Sequence, residues 1–269
     1  MAHATSRVGY SQEQYVSQLD GYRQYDNVPW GILEHQLQES ALGDCRGMTV
    51  LDLGGGQGLR ARHAIDHSAI AVDVVDASAG MLQAGQRIEE RLGRSNGTVQ
   101  WFEADVSRPE DLARLPLRYK EEGYDMVMAN WLFDHAGSLD VLDGMMRSCV
   151  AYLKPGGRFI GTRLYHSALT PASRNGKYGV THKDHKNVPG GVAFRYKFHV
   201  DPPVEFEAGA MEVTYNPEKM AGFHEKYGLV DTQVERFENA SWIRSDPDYW
   251  ELFLEQPNFA VVKARKKVI

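Results

Sequence analysis

The chain has 269 residues, 42% of them hydrophobic and 25% charged, with a formal net charge of −6, an ordinary composition for a globular protein whose length suits a single α/β unit. The acidic balance counts against a nucleic-acid partner, which needs a basic footprint to gain from counterion release. No run reaches membrane-spanning length, and the opening MAHATSRVGYSQEQ has no apolar signal-peptide core. The expectation is therefore a cytoplasmic protein, monomer or homodimer, in which Cys45 and Cys149 are buried thiols without metal-binding spacing.

In chain order, Tyr10, Tyr15, Leu19, Tyr22 and Tyr25 recur at helical or near-helical intervals, and GILEHQLQESALG predicts a second helix ending near Gly43. These aromatic residues and Trp30 form either the apolar side of packed helices or a lid over a ligand.

Residues 49–65, TVLDLGGGQGLRARHAI, carry the first strand, a glycine turn and a helix. Backbone approaches a ligand closely at such a turn, because glycine has no Cβ and tolerates φ > 0. Three readings compete. Gly56 to Ala61 fits the G-x-G-x-x-A spacing of a dinucleotide site. The stretch 52–58, DLGGGQG, fits an S-adenosylmethionine site, whose acidic residue faces an ammonium group and would repel a pyrophosphate. A tight βα turn without a ligand is the third.

A βα rhythm follows. Residues 69–75 read as strand two, ending at Asp76; AGMLQAGQRIEERLG as a helix; residues 99–102 as strand three, ending at Glu103-Ala104-Asp105; residues 124–129 as strand four, running into Asn130-Trp131-Leu132-Phe133-Asp134-His135. A helix is expected over 139–153, a turn at 154–157 and strand five at 158–163. Alternation of this kind implies a parallel sheet covered by helices on both faces. Ligands of open parallel sheets bind beyond the carboxyl ends of the strands, where Asp52, Asp76, Asp105 and Asn130 each stand. Asp76 lies roughly 20 residues beyond the glycines, where a carboxylate accepts from ribose hydroxyls; the plainer reading is a helix cap.

On the stretches VLDLGGGQG (50–58), VVDASAGML (74–82), WFEADV (101–106), YDMVMANWLFDH (124–135) and YLKPGGRFI (152–160), residues 49–164 resemble a class I S-adenosylmethionine-dependent methyltransferase. The resemblance implies a Rossmann-like fold: a mostly parallel seven-stranded sheet with helices on both faces. It implies that Asp52, Gly54 and Gly56 hold the methionyl part of the cofactor, and Asp76 the ribose, with Ala77 beside it. Asp105 would take the adenine amino group, Met81 and Val106 the adenine faces, and Asn130 and Trp131 would lie near the methionyl end and the substrate. In layout the chain is similar to natural-product and small-acid methyltransferases, including those of toxoflavin type.

His135, just past strand four, is a candidate base or substrate contact, or else a packed or capping histidine. Asp134 could orient it, but adjacent residues seldom face each other. Residues 165–215 depart from the family core. Their first half is polar and glycine-containing, expected as a mobile loop, whereas 192–200 and 204–215 alternate as an antiparallel hairpin should. His182, Lys183, His185, Lys186, Arg195 and Lys197, with Arg163, Tyr165 and His166 nearby, would make a locally basic cap over an anionic small molecule, or simply a solvated surface. HKDH lacks a third and fourth metal ligand, and no metal is expected. Asp201-Pro202-Pro203 reads as a turn.

Residues 216–228 read as a helix, 229–237 and 259–265 as the last strands, and 245–254 as a short surface helix. The division expected is one methyltransferase domain over 1–269: a helical lid at 1–45, a cofactor-binding core at 46–164, a substrate-cap insertion at 165–215 and the remaining core at 216–269. Substrate contacts are expected from Tyr22, Trp30, His135, Arg163, Tyr165, Arg195 and Lys197. The reaction implied is in-line methyl transfer to a small molecule, at a carboxylate or phenol oxygen first, with N-methylation of a heterocycle as the alternative. An NAD-dependent oxidoreductase or a non-catalytic cofactor-binding protein are the readings from other classes.

Overall fold

The computed structural model describes residues 14, 17–94, 97–167 and 169–268. Tyr10 and Tyr15 lie outside the described residues, as does the side chain of Tyr22. Helices α1 (Leu19–Arg23) and α2 (Pro29–Leu42) precede the first strand. Pro29 starts α2 at a position whose N–H would find no intrahelical acceptor, and Gly43 ends it at a positive φ of 54°.

The main sheet contains β1 (Thr49–Leu53), β2 (Ala71–Asp76), β3 (Val99–Glu103), β4 (Tyr124–Met128), β5 (Leu153–Leu164), β9 (Leu229–Val234) and β10 (Phe259–Lys266). Its helices are α3 (Leu59–Asp66), α4 (Ala79–Arg91), α5 (Pro109–Leu112), α6 (Leu139–Ala151) and α9 (Pro217–Lys226). The strand order is β3-β2-β1-β4-β5-β10-β9, with β10 antiparallel to both neighbours. The order reverses between β1 and β4, which opens a crevice at their carboxyl ends.

Successive residues of a strand point to opposite faces, and the core divides accordingly. Val50, Met126, Met128 and Ile160 pack on one face with Leu33, Leu37 and Leu42 of α2. Leu51, Leu53, Val127 and Phe159 pack on the other with Leu142, Met146 and Cys149 of α6. Both cysteines are buried and unpaired. No helix among the described residues is long and apolar enough to cross a membrane.

The insertion differs from its expectation. Its polar first half contains α7 (Pro171–Arg174) and strand β6 (Val180–Val188), so the cap is a three-stranded sheet of β6, β7 (Gly191–Phe198) and β8 (Val204–Met211), closed by α8 (Glu212–Tyr215). The stretch THKDHK is a strand because its alternate residues Val180 and His182 are buried against the core while Thr181 and Lys183 face outward. Near the C-terminus, α10 (Ser241–Ser245) and α11 (Glu251–Glu255) replace the expected surface helix. Between them Trp250 is fully buried, its ring stacked on Tyr178 at 4.6 Å. The 154–157 turn is absorbed into β5 as an irregularity in its pairing with β4.

Helix α2 is held by its fully buried Leu37. Leu37→Ala should lower the free energy of unfolding by about 2–5 kcal/mol in urea titration, through lost transfer energy plus the cavity left behind. A loss near zero would mean that α2 does not share the core.

Candidate functional site

The glycine turn sits at the mouth of the crevice. Gly54 N–H donates to the Val75 carbonyl at 2.8 Å, and Gly56 N–H donates to Asp76 Oδ2 at 2.9 Å. Ser78 N–H donates to Asp76 Oδ1 at 2.8 Å. Asp76 therefore serves as the turn's clasp. A carboxylate has about four lone-pair sites, so one on each oxygen remains for a ligand. Burial raises the Asp76 pKa, opposed by these two N–H donors. At Gly56, φ is +53° and a Cβ would meet Met81 at 3.1 Å, so a side chain is opposed by both backbone and space.

Asp52 is the penultimate residue of β1, directly beneath the turn. It is 1% exposed, and its Oδ2 has no hydrogen-bond partner. Burial pushes its pKa up to about 7, against the pull of Arg60. A Cβ on Gly55 would lie 2.7 Å from that same oxygen, so the bare glycine leaves room above it. A buried, unpartnered carboxylate oxygen wants a cationic donor. This chemistry fits an ammonium-bearing ligand and disfavours a pyrophosphate.

Further along the same edge, Asp105 Oδ1 accepts from the Ser107 N–H at 3.0 Å and hydroxyl at 2.6 Å, while Val106 and Met81 are buried beside the turn. Ala77 is half-buried after β2. Asn130 Oδ1 accepts from Thr162 N–H at 3.0 Å and Gln38 Nε2 at 2.5 Å; its Nδ2 is buried without a partner. Trp131 has φ of +57°, a rare conformation for a bulky residue. Its Nε1 donates to Glu34 Oε2 at 3.0 Å.

Glu34, on α2 and 1% exposed, joins these parts. Its Oε1 pairs with Arg60 Nη2 at 2.7 Å, and its Oε2 also accepts from the Tyr25 hydroxyl at 2.5 Å. Burial works against the charge on Arg60, and Glu34 more than restores it, raising the guanidinium pKa. One carboxylate thus ties α2 to the glycine-turn helix α3 and to Trp131 in the segment that follows β4. The sequence did hold a signal for it: Glu34 and Gln38 fall on the helical stripe of Trp30, Leu33, Leu37 and Ala41.

Behind Trp131 lies a cavity of about 40 Å³. Aromatic rings of Tyr25, Trp30, Trp131, Tyr196, Phe198 and Phe206 wall it, and Asp134, His135 and Val180 complete the lining. Asp134 and His135 share a short 3-10 turn (Phe133–His135), so these neighbours border one cavity after all. Asp134 Oδ2 accepts from Leu164 N–H at 3.0 Å and from the Tyr196 hydroxyl at 3.3 Å. Burial pushes the Asp134 pKa up to about 7 and the His135 pKa down to about 4.

Trp30 and His135 thus fall at the cavity, whereas four other residues expected at a substrate do not line it. Arg195 and Lys197 stand on the opposite face of β7 from Phe194, Tyr196 and Phe198, as strand alternation requires. Arg195 is within 3.4 Å of Glu207 and Lys183 within 2.6 Å of Glu205, so the cap's basic groups face its own acids. Arg163 is fully buried over the Phe133 ring at 4.8 Å and meets His224 Nε2 at 3.0 Å. Tyr165 is half-buried against His166. Asp134, Tyr196, Phe198 and Phe206 were missed as pocket residues, although the alternation of FRYKF carried part of that signal. On the outer side of α2 and α3, His35, Glu39 and His63 come close enough to hold a metal ion. Arg60 Nη1 already lies 3.2 Å from His63 Nδ1, and His67 Nε2 lies 2.7 Å from Glu39.

Residues 51–159 match the family model described as a methyltransferase domain. No curated protein matches the chain. Among solved structures, the CcbJ methyltransferase from Streptomyces caelestis is 20% identical with a TM-score of 0.61, covering 96% of this chain and 100% of its own. An S-adenosylmethionine-dependent methyltransferase from Mesorhizobium loti is 19% identical with a TM-score of 0.57, covering 87% and 98%. The Burkholderia thailandensis 1,6-didemethyltoxoflavin-N1-methyltransferase is 14% identical with a TM-score of 0.51, covering 98% and 92%. These likenesses establish the fold as the Rossmann-like fold of those methyltransferases.

Removing one partner of a buried ion pair strands the other charge. Glu34→Ala should therefore cost about 3–5 kcal/mol in urea unfolding. A loss below about 1 kcal/mol, as for a surface pair, would show that Arg60 finds solvent without Glu34.

Proposed function

We propose that the chain is an S-adenosylmethionine-dependent methyltransferase acting on a small-molecule acceptor. The observation that carries this reading is the unpartnered, buried Oδ2 of Asp52 beneath the glycine turn, within the segment that matches a methyltransferase domain. A nicotinamide dinucleotide would bring its pyrophosphate to a helix start where that carboxylate stands.

When bound, the cofactor supplies a sulfonium-activated methyl group, and the protein supplies position and electrostatics. Asp52 would meet the ammonium of the methionyl part beside Gly54 and Gly56. The remaining lone pairs of Asp76 suit ribose hydroxyls, with Ala77 alongside. Asp105 would take the adenine amino group, with Met81 and Val106 against the ring. Asn130 and Trp131 would lie near the methionyl end and the substrate, Trp131 also lining the aromatic cavity. Holding the acceptor in line there contributes up to about 7–11 kcal/mol of barrier lowering in favourable cases. The aromatic walls also exclude water from the reacting centre. His135 offers a neutral imidazole as a hydrogen-bonding group toward the acceptor. Aromatic lining suits a phenol oxygen or a heterocyclic nitrogen better than the carboxylate that a basic cap would have favoured.

Titration calorimetry with S-adenosylhomocysteine, using NADH as control, tests the reading. The homologue alone should bind; Asp76→Ala should weaken it at least ~10-fold, and Gly56→Val should abolish it. Asp52 is partly protonated in the free protein near its pKa of about 7, and an ammonium beside it favours the ionised form. Binding near neutral pH should therefore release protons, seen as a dependence of the heat on the buffer's ionisation enthalpy. NADH binding without the homologue would overturn the proposal.

The same shift sets a pH dependence for the ligand-free protein. A carboxyl whose folded pKa lies above its unfolded value binds more protons when folded, so its contribution is present below the unfolded value and lost as pH rises through the folded one. Asp52 and Asp134 both behave this way, raised from the ordinary carboxyl value of 3.8 up to about 7. Unfolding free energy should fall over that window, less steeply in Asp52→Asn. Identical slopes in both proteins would remove Asp52 as a cause.

A further inference from the structure

We infer that Asp134 is the proton acceptor of the aromatic cavity, and that the methyl acceptor is a flat, uncharged molecule presenting a phenolic O–H or ring N–H to its carboxylate. This inference rests on the methyltransferase reading and adds to it the substrate class and the proton's destination.

Placement comes first. Asp134 is 1% exposed, yet among the described residues it is the one carboxylate lining a cavity whose walls are six aromatic rings. Two donors hold it: the Leu164 N–H of β5, shared between Oδ2 at 3.0 Å and Oδ1 at 3.3 Å, and the Tyr196 hydroxyl of β7 on Oδ2. That arrangement fixes the group and leaves the second lone pair of Oδ1 as acceptor capacity. The aromatic rings give a planar molecule large contact area and stacking partners.

Charge selects against the other acceptor class. Among the described residues, no lysine or arginine lines the cavity. Arg195 and Lys197 project from the far face of β7, and the buried Arg163 lies over Phe133 beneath the turn. An incoming carboxylate would meet aromatic faces and the like charge of Asp134 with no cation in the lining to pair with, the buried Arg163 acting on Asp134 from outside it, which is costly in a buried site. A neutral O–H or N–H instead gains a charge-assisted hydrogen bond.

The groups facing Asp134 also set its proton affinity. Burial raises it, while the Leu164 N–H, the nearby Arg163 charge and the Tyr196 hydroxyl oppose that rise, leaving the carboxyl near neutrality. An acid–base group works best with a pKa near the operating pH. His135, its neighbour in the turn, is held well below that range by burial and takes up little proton at neutral pH.

The balance of the step is simple. The acceptor's oxygen or nitrogen forms a bond to the methyl carbon, and the carbon–sulfur bond breaks with its electron pair kept by sulfur. The acceptor's proton passes to the Asp134 carboxylate and later to solvent. A cavity of about 40 Å³ holds little more than water, so admitting a ring requires its walls to separate.

The test uses 2-naphthol and 2-naphthoate, one skeleton with either group. S-adenosylhomocysteine affinity is measured first; each probe is then titrated into the saturated protein across the Asp134 ionisation at about 7. The expected result is 2-naphthol binding at least ~10-fold more tightly than 2-naphthoate, with affinity rising as Asp134 loses its proton. Asp134→Asn should remove that rise without changing affinity for S-adenosylhomocysteine. Tyr196→Phe, which deletes one donor to the carboxylate, should move the rise to higher pH and keeps the test open should Asp134→Asn fail to fold. Tighter 2-naphthoate binding, a rise that persists in Asp134→Asn, or no 2-naphthol binding would overturn the inference. Failure of S-adenosylhomocysteine to bind would overturn the methyltransferase reading and, with it, the methyl-transfer role of Asp134; binding of S-adenosylhomocysteine without the expected naphthol profile would overturn this inference alone.

Discussion

The buried pair of Glu34 and Arg60 is the contact on which the site's assembly depends. Neither charge could stay buried alone, because an isolated ion in a low-dielectric interior costs several kcal/mol even after relaxation. Each is therefore obliged to find the other, and the bond that results spans the molecule's functional parts. Arg60 stands one residue into the helix that follows the glycine turn, Glu34 stands on the helix that precedes the sheet, and the same carboxylate takes the Trp131 indole and the Tyr25 hydroxyl. Through it, the cradle at β1 and the cavity behind β4 are held in a fixed relation. The unusual backbone of Trp131 is kept by that hydrogen bond together with its N–H donation to the Thr162 carbonyl at 2.7 Å.

Burial tunes the carboxylates in one direction and the partners decide how far. Asp76 is clasped by two backbone N–H groups and Asp134 by one N–H and a hydroxyl, whereas an oxygen of Asp52 goes unmatched. A strand end is where such groups collect, because the chain leaves the sheet there and its peptide groups point into the crevice. Carboxylates near the end of β1, at the end of β2 and in the turn beyond β4 thus acquire different chemistry: Asp76 a clasp with room for hydroxyls, Asp52 an acceptor lacking a cation, Asp134 a group poised to exchange a proton.

The inserted cap does its work with the apolar face of β7. Phe194, Tyr196 and Phe198 turn inward together, and Arg195 between them pairs with Glu207 along the outer face. A basic composition in the segment therefore reads out as surface ion pairs, and its contribution to the cavity is aromatic. Composition alone could not separate the two faces; the two-residue period of the strand could.

Much was legible in the sequence because it depends on local pattern. The glycine turn after a short apolar strand, the repeating strand ends at Asp52, Asp76, Asp105 and Asn130, and the helices capped by Ser78 and Asn216 are each set by a few consecutive residues, and each is present. Tertiary structure alone decided which distant groups meet. Glu34 and Arg60 are brought together by packing of α2 against α3, and Asp134 and Tyr196 by the seating of the cap on the turn after β4. Burial is the reason for the divide: periodicity tells which way a side chain points, but its protonation, its partners and the cavity it borders follow from what the rest of the chain lays over it.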